Sequence, residues 1–173
     1  MQSERFLTPI SQLTTYQTLV SELKAGRTPE NIALPRAARL AVLAALYRSL
    51  QRPLLLITDR ADRALTLLDE LSLWLPDANR LYFPEPNPLF YERAPWGPNT
   101  RRDRLTVLSA LSQLQIPSAP KPDKPPLIVA STRAIMARTL PRREYLKARS
   151  EVKIGQVKSL NDLIRDWLEL GDD

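Results

Sequence analysis

The chain has no cysteine and no histidine among its 173 residues. Their absence excludes disulfides, thiol nucleophiles, zinc-finger spacings and every triad or metal site built on imidazole. Only a carboxylate metal site stays open, and no acidic grouping in the sequence calls for one. Glycine is scarce too, with four residues at positions 26, 97, 155 and 171. Loops that wrap phosphate need glycine so that backbone amides can come close, so this scarcity counts against them. No apolar run approaches the ~20 residues that span a bilayer, and the N-terminus lacks a signal-peptide pattern. The expectation is a cytoplasmic protein without membrane contact.

What is present suits a folded chain: 43% hydrophobic and 25% charged residues, room for one domain or for one domain and a fragment. The net charge of +6 points toward acidic partners or nucleic acid. The sequence is organised around positions 34–58. There Leu34-Pro35-Arg36-Ala37-Ala38-Arg39 leads into an almost wholly apolar helix, Leu40 to Leu50, and then into Pro53-Leu54-Leu55-Leu56-Ile57-Thr58. A helix apolar nearly all round must be covered on more than one side. The unbroken run Leu54–Ile57 predicts a strand buried on both faces of a parallel sheet. Together they read as a βαβ unit, with a short strand over 31–34 in front.

Around that unit, apolar spacing predicts an amphipathic helix over 9–24, stopped at Gly26. A helix capped by Asp59 is expected to bury Ala64, Leu67, Leu68, Leu71, Trp74 and Leu75, with Pro76 ending it. A third strand spans 80–83. The stretch 84–98 holds five prolines and reads as a surface loop, since proline cannot donate to a sheet. Its Leu89, Phe90, Tyr91 and Trp96 either tuck onto the core or face a partner, and we expect tucking. A helix capped at Asn99 or Thr100 runs to about Gln115 with Leu105, Val107, Leu108, Leu111 and Leu114 inward. A polar, proline-rich loop over 116–126 precedes a buried strand over 127–130 and a short helix capped by Ser131 or Thr132. A further short helix follows Pro141. At Arg149–Ile154 the pattern changes to polar/apolar alternation, as in a half-exposed antiparallel strand, and another amphipathic helix follows Ser159. The expected domains are a helical extension over 1–30, a parallel α/β domain over 31–147, and from 148 the beginning of a small α+β domain.

A nucleoside-triphosphate site at the turn before the buried helix needs Gly-x-x-x-x-Gly-Lys-Ser/Thr. Pro35, Arg36, Ala37 and Ala38 supply no glycine, lysine or hydroxyl, and Pro35 also removes an amide. No acid ends the strand at Ala130, where a magnesium-binding aspartate would sit. Two readings of Arg36 and Arg39 remain: solvated first-turn arginines, or an anion site. Basic residues elsewhere are candidates for nucleic-acid or partner contact: Arg101, Arg102 and Arg104 beside Trp96, then Arg142 and Arg143. A solvated basic face is the alternative, and steep salt dependence separates the two.

The ordered series resembles a known one. The degenerate loop at 34–38 is followed by Leu40-Ala41-Val42-Leu43-Ala44-Ala45-Leu46-Tyr47, by Leu54–Thr58 and by Asp69-Glu70-Leu71. Phe83-Pro84, Arg104-Leu105-Thr106-Val107-Leu108, Leu127–Ser131 and Val152-Lys153-Ile154-Gly155-Gln156 continue it. Together these resemble the N-terminal module of the bacterial transcription-repair coupling factors (Mfd), itself related to UvrB. The resemblance spans about 32–171. It implies a RecA-like domain with a degenerate P-loop and no ATPase activity or cofactor, followed by the start of a UvrA-docking domain. It implies UvrA and the other domains of the full protein as partners, with RNA polymerase and DNA engaged only through domains further on. The family's full-length protein is an ATP-dependent DNA translocase. Two features depart from UvrB: the missing phosphate loop, and a short proline-rich loop where UvrB carries a tyrosine-rich hairpin. The alternatives are a basic nucleic-acid-binding module and an ATP-dependent helicase domain.

Overall fold

A computed structural model describes residues 2–29, 32–86, 96–116, 122–139, 141–148 and 155–169 except 156 and 158. Two helices, α1 (Gln2–Gln12) and α2 (Thr14–Lys24), precede a single 3-10 turn (Arg36–Ala38) and α3 (Arg39–Leu50). Then follow β1 (Leu54–Thr58), α4 (Ala61–Trp74), β2 (Asn79–Phe83), α5 (Pro98–Gln115), β3 (Pro126–Ser131), α6 (Thr132–Met136), α7 (Arg142–Ala148) and α8 (Leu160–Glu169). The chain divides into two compact units, Met1–Ala137 and Arg138–Asp173.

The first unit is α/β. Its three strands form a parallel sheet in the order β1-β3-β2, with Leu54 opposite Leu127 and Arg80 opposite Leu127 on the other side. The crossover from β1 to β2 runs one way across the sheet and that from β2 to β3 runs back. Parallel crossovers are right-handed, so the reversal places α4 and α5 on opposite faces. Strand residues alternate between those faces. Leu127 and Val129 join α1, α2, α3 and α4 in one core, while Ile128, Ala130 and Phe83 join Val107 and Ala134 in a second. β3, central and flanked on both sides, is buried along its whole length.

Several expectations change. The helix over 9–24 is two helices, broken where Leu13 turns to extended backbone (φ −67°, ψ 128°). Residues 32–34 form no strand, since Pro35 follows and no neighbour pairs with them among the described residues; Asn31 lies outside the described residues. β1 is not buried on both faces. It is an edge strand whose Leu55 and Ile57 are 50% and 51% exposed, because α5 packs chiefly on β2 and β3 and leaves Leu55 in an open pocket beside Val107, Leu108 and Ile135. Asp59 does not cap α4: the cap position is Arg60, without a side-chain bond. α5 begins two or three residues early, capped at Gly97 rather than at Asn99 or Thr100, using proline where its missing amide costs nothing. On α5 Val107 and Leu111 face the core as expected, but Leu105 points outward and Arg104 takes the inward place. Ser131 does cap α6, its Oγ accepting from the Ala134 amide at 3.1 Å. The aromatic loop from 87 to 95 and the alternating segment 149–154 lie outside the described residues.

Candidate functional site

The turn before α3, which the sequence leaves without the residues of a phosphate loop, closes on itself. The Ala38 amide donates to Pro35 O at 2.9 Å, and Arg39 Nε donates to Leu34 O at 3.4 Å. A phosphate cradle needs successive amides turned inward by left-handed backbone. Among the described residues only Gln51, Gly26 and Gly155 have positive φ, all outside this turn. Among the described residues no side chain caps α3. Arg36, Ala37 and Arg39 instead line one end of an open groove of about 960 Å³. Its floor is apolar: Leu40, Leu43 and Leu46 from α3, Leu56 from β1, Leu67 and Trp74 from α4. Arg60 and Arg63 also border it, with Asp59 and Glu70.

The carboxyl edge of the sheet carries a second polar set, where open α/β sheets place their ligands. Ser131 Oγ donates to Glu85 Oε1 at 2.5 Å, and Arg133 Nη1 lies 3.6 Å from Glu85 Oε2. Thr132 Oγ1 donates to Thr58 O at 3.0 Å, and Thr58 Oγ1 to Asp59 Oδ1 at 2.9 Å. That last bond, with backbone amides adding to it, holds the Asp59 carboxyl below its ordinary pKa. These contacts tie strand ends together. Among the described residues no three acidic side chains converge to hold a metal ion.

The basic candidates separate. Arg104 is 2% exposed and cannot reach a nucleic acid. Its guanidinium carbon sits 3.9 Å from the Phe83 ring centre and 4.8 Å from that of Trp96. Nη1 donates to Pro84 O at 2.8 Å and Ala134 O at 3.1 Å, and Nη2 to Ala137 O at 3.3 Å. Nε has no partner among the described residues, and burial draws the group's pKa down. Trp96, half-buried, packs on this arginine instead of offering its face to a base. Arg101 and Arg102 are exposed on α5, with Arg102 Nε 3.2 Å from Asp103. Arg142 and Arg143 are exposed in the first turn of α7, in the second unit.

Sequence reasoning missed the groove and the buried role of Arg104. The latter had a signal: Thr100, Arg104, Val107 and Leu111 follow helical spacing, which puts Arg104 on the inward stripe. The groove had none, because its arginines come from separate elements. No described helix is long and apolar enough to cross a membrane. Compared with known families and with curated proteins, the chain matches none.

Proposed function

We propose that this chain is a non-catalytic scaffold and interaction module of transcription-coupled nucleotide excision repair, similar to the N-terminal part of a transcription-repair coupling factor. The observation that carries the reading is the turn before α3. A RecA-like layout would place a nucleotide there; among the described residues no strand leads into the turn, and Pro35 and the Ala38–Pro35 bond close it with no left-handed residue. The ordered segments that resemble the coupling factors add to it, and a three-stranded parallel sheet with helices on both faces accommodates a RecA-like domain. In this reading the chain helps bring UvrA to a stalled polymerase through the domain that begins after residue 148. RNA polymerase and DNA are engaged by domains further along the full protein.

The test has two arms. The chain alone releases no phosphate from ATP with magnesium. The chain extended through its second domain retains UvrA on an affinity column. Phosphate release lost in Arg36→Glu, or no retention of UvrA by the extended chain, overturns the proposal. A second reading, a nucleic-acid-binding module, draws on exposed Arg101 and Arg102 and loses Arg104 to the core. Binding of single-stranded DNA that falls steeply between 50 and 200 mM salt, on the order of 10-fold or more, would favour it.

A further inference from the structure

The groove between α3, β1 and α4 combines two properties that a finished domain surface does not need. One is apolar area left half covered. α3 rests Ala41, Ala44, Ala45 and Tyr47 in the core, while Leu40, Val42, Leu43 and Leu46 stay half-buried along the groove. Leu73, at its margin, is 77% exposed. The other is a positive rim: Arg36, Arg39, Arg60 and Arg63 against Asp59 and Glu70. Arg60 already meets Asp62 at 2.8 Å and Arg63 approaches Glu70 at 3.9 Å. Arg36 and Arg39 are exposed and have no carboxylate partner among the described residues.

We propose that this groove is a docking site for an acidic amphipathic helix of a partner protein. Leu40, Leu43 and Leu46 recur at roughly one turn, which is the spacing that receives side chains at i, i+3, i+4 and i+7 of a second helix. Arg36 and Arg39 come from the 3-10 turn and the start of α3, and Arg60 and Arg63 from the start of α4, so two elements border the apolar floor with positive charge. Carboxylates flanking the apolar stripe of a helix complement both the arginines and the leucine floor, whereas a phosphate matches the arginines alone. The turn before α3 also lacks the backbone cradle that a phosphate would need. The uncapped N-terminus of α3 adds positive potential beside Arg36 and Arg39, favouring acidic over basic partners. This goes beyond the scaffold reading and does not depend on UvrA.

The probe is a fluorescein-labelled 18-residue helical peptide with leucines at i, i+3, i+4 and i+7 and glutamates on both flanks. A second peptide keeps the leucines and replaces each glutamate with lysine. Anisotropy titrations use the whole 173-residue chain. The glutamate peptide binds saturably, and the lysine peptide at least about tenfold more weakly. The double variant R36E/R39E reverses that preference, and Leu73→Lys weakens the glutamate peptide about fivefold. All three positions are exposed, so circular dichroism of the variants matches the parent. Equal affinity for the two peptides, or indifference to R36E/R39E, overturns the proposal. So does displacement of the glutamate peptide by millimolar ATP, which assigns the groove to a nucleotide, or self-association of the peptide-free chain that Leu73→Lys abolishes, which assigns it to a second copy.

Discussion

The two faces of the sheet are built differently. One is covered by α3 and α4, with α1 and α2 packed in turn on α3, and it holds Leu71 and Leu127 at 0% exposure. The other has α5 and the five-residue α6, and it leaves Leu55 and Ile57 of β1 half exposed. The thick face is held by apolar burial, with tyrosine hydroxyls satisfied at its margin. The thin face is held where a charged side chain, Arg104, replaces the hydrophobe that a helix of this length would usually turn inward. Burial of apolar area contributes ~25 cal/mol per Å², so the first arrangement dominates stability. The second fixes the position of a strand end and a loop.

The largest effect should come from the thick face. Leu71→Ala removes a fully buried side chain beneath α4, and unfolding in urea should show a loss of about 3 kcal/mol. Leu55→Ala, the same chemistry on the bare half of the other face, should cost about 0.5 kcal/mol or less. Equal losses would mean that both faces are equally covered, and the comparison would fail.

Arg104 is the next test. Among the described residues its charge is buried without a carboxylate and is offset by three backbone carbonyls and two aromatic rings. Arg104→Ala leaves those carbonyls unpaired, and the expected cost is about 2–3 kcal/mol by denaturant titration. Arg104→Lys should recover less than half of it, since an ammonium neither forks to carbonyls on separate elements nor stacks flat. A cycle with Trp96→Ala should show coupling of about 0.5–1 kcal/mol. Zero coupling would reduce Trp96 to a bystander. Burial lowers the pKa of Arg104 but leaves it charged at every ordinary pH, so its cost brings no pH dependence there.

The thick face carries a pH dependence on the alkaline side. Burial raises the pKa of Tyr16, Tyr47 and Tyr82, and the charge of Glu85 raises Tyr82 further. A raised tyrosine pKa means that the unfolded chain ionises first, so stability holds below the unfolded value of about 10 and falls as pH rises through it toward the folded values. The alkaline limb of a stability profile should therefore be steeper for the parent than for Tyr47→Phe. At pH 7 the same variant loses the bond from Tyr47 Oη to Pro125 O at 2.6 Å, about 1 kcal/mol.

Much of the thick face could be read in advance. The apolar period of α4, the run at 127–130 and the crowding of alanines in α3 each name their burial, because a hydrophobe in a periodic pattern has few places to go. The thin face could not. Leu54–Ile57 and Leu127–Ala130 look alike as sequence, yet one is an edge strand and the other central. Edge or centre is decided by which crossover helix lands where, and composition does not record that. That the turn at 34–39 lacks the glycine, lysine and hydroxyl of a phosphate loop was legible, since those residues are local. The groove beside it was not legible, because Arg36, Arg39, Arg60 and Arg63 are brought together only by the packing of α3 against α4.

The smallest effect is at the open edge. β1 offers an unpaired row of amides and carbonyls on its outer side among the described residues, with Leu55 half exposed beside it. Such an edge is a template for pairing with another strand, and a lysine there blocks the approach through charge and desolvation. Leu55→Lys should therefore leave the urea midpoint within about 0.5 kcal/mol of the parent. In sedimentation velocity at rising concentration it should also reduce self-association. A loss above about 2 kcal/mol would show that Leu55 is covered in solution, and the thin face would then be as closed as the thick one. Unchanged stability with unchanged association would leave the face bare but place any pairing between copies elsewhere than at β1. The two readouts separate because stability reports what covers Leu55 within the chain, while association reports what reaches β1 from outside it.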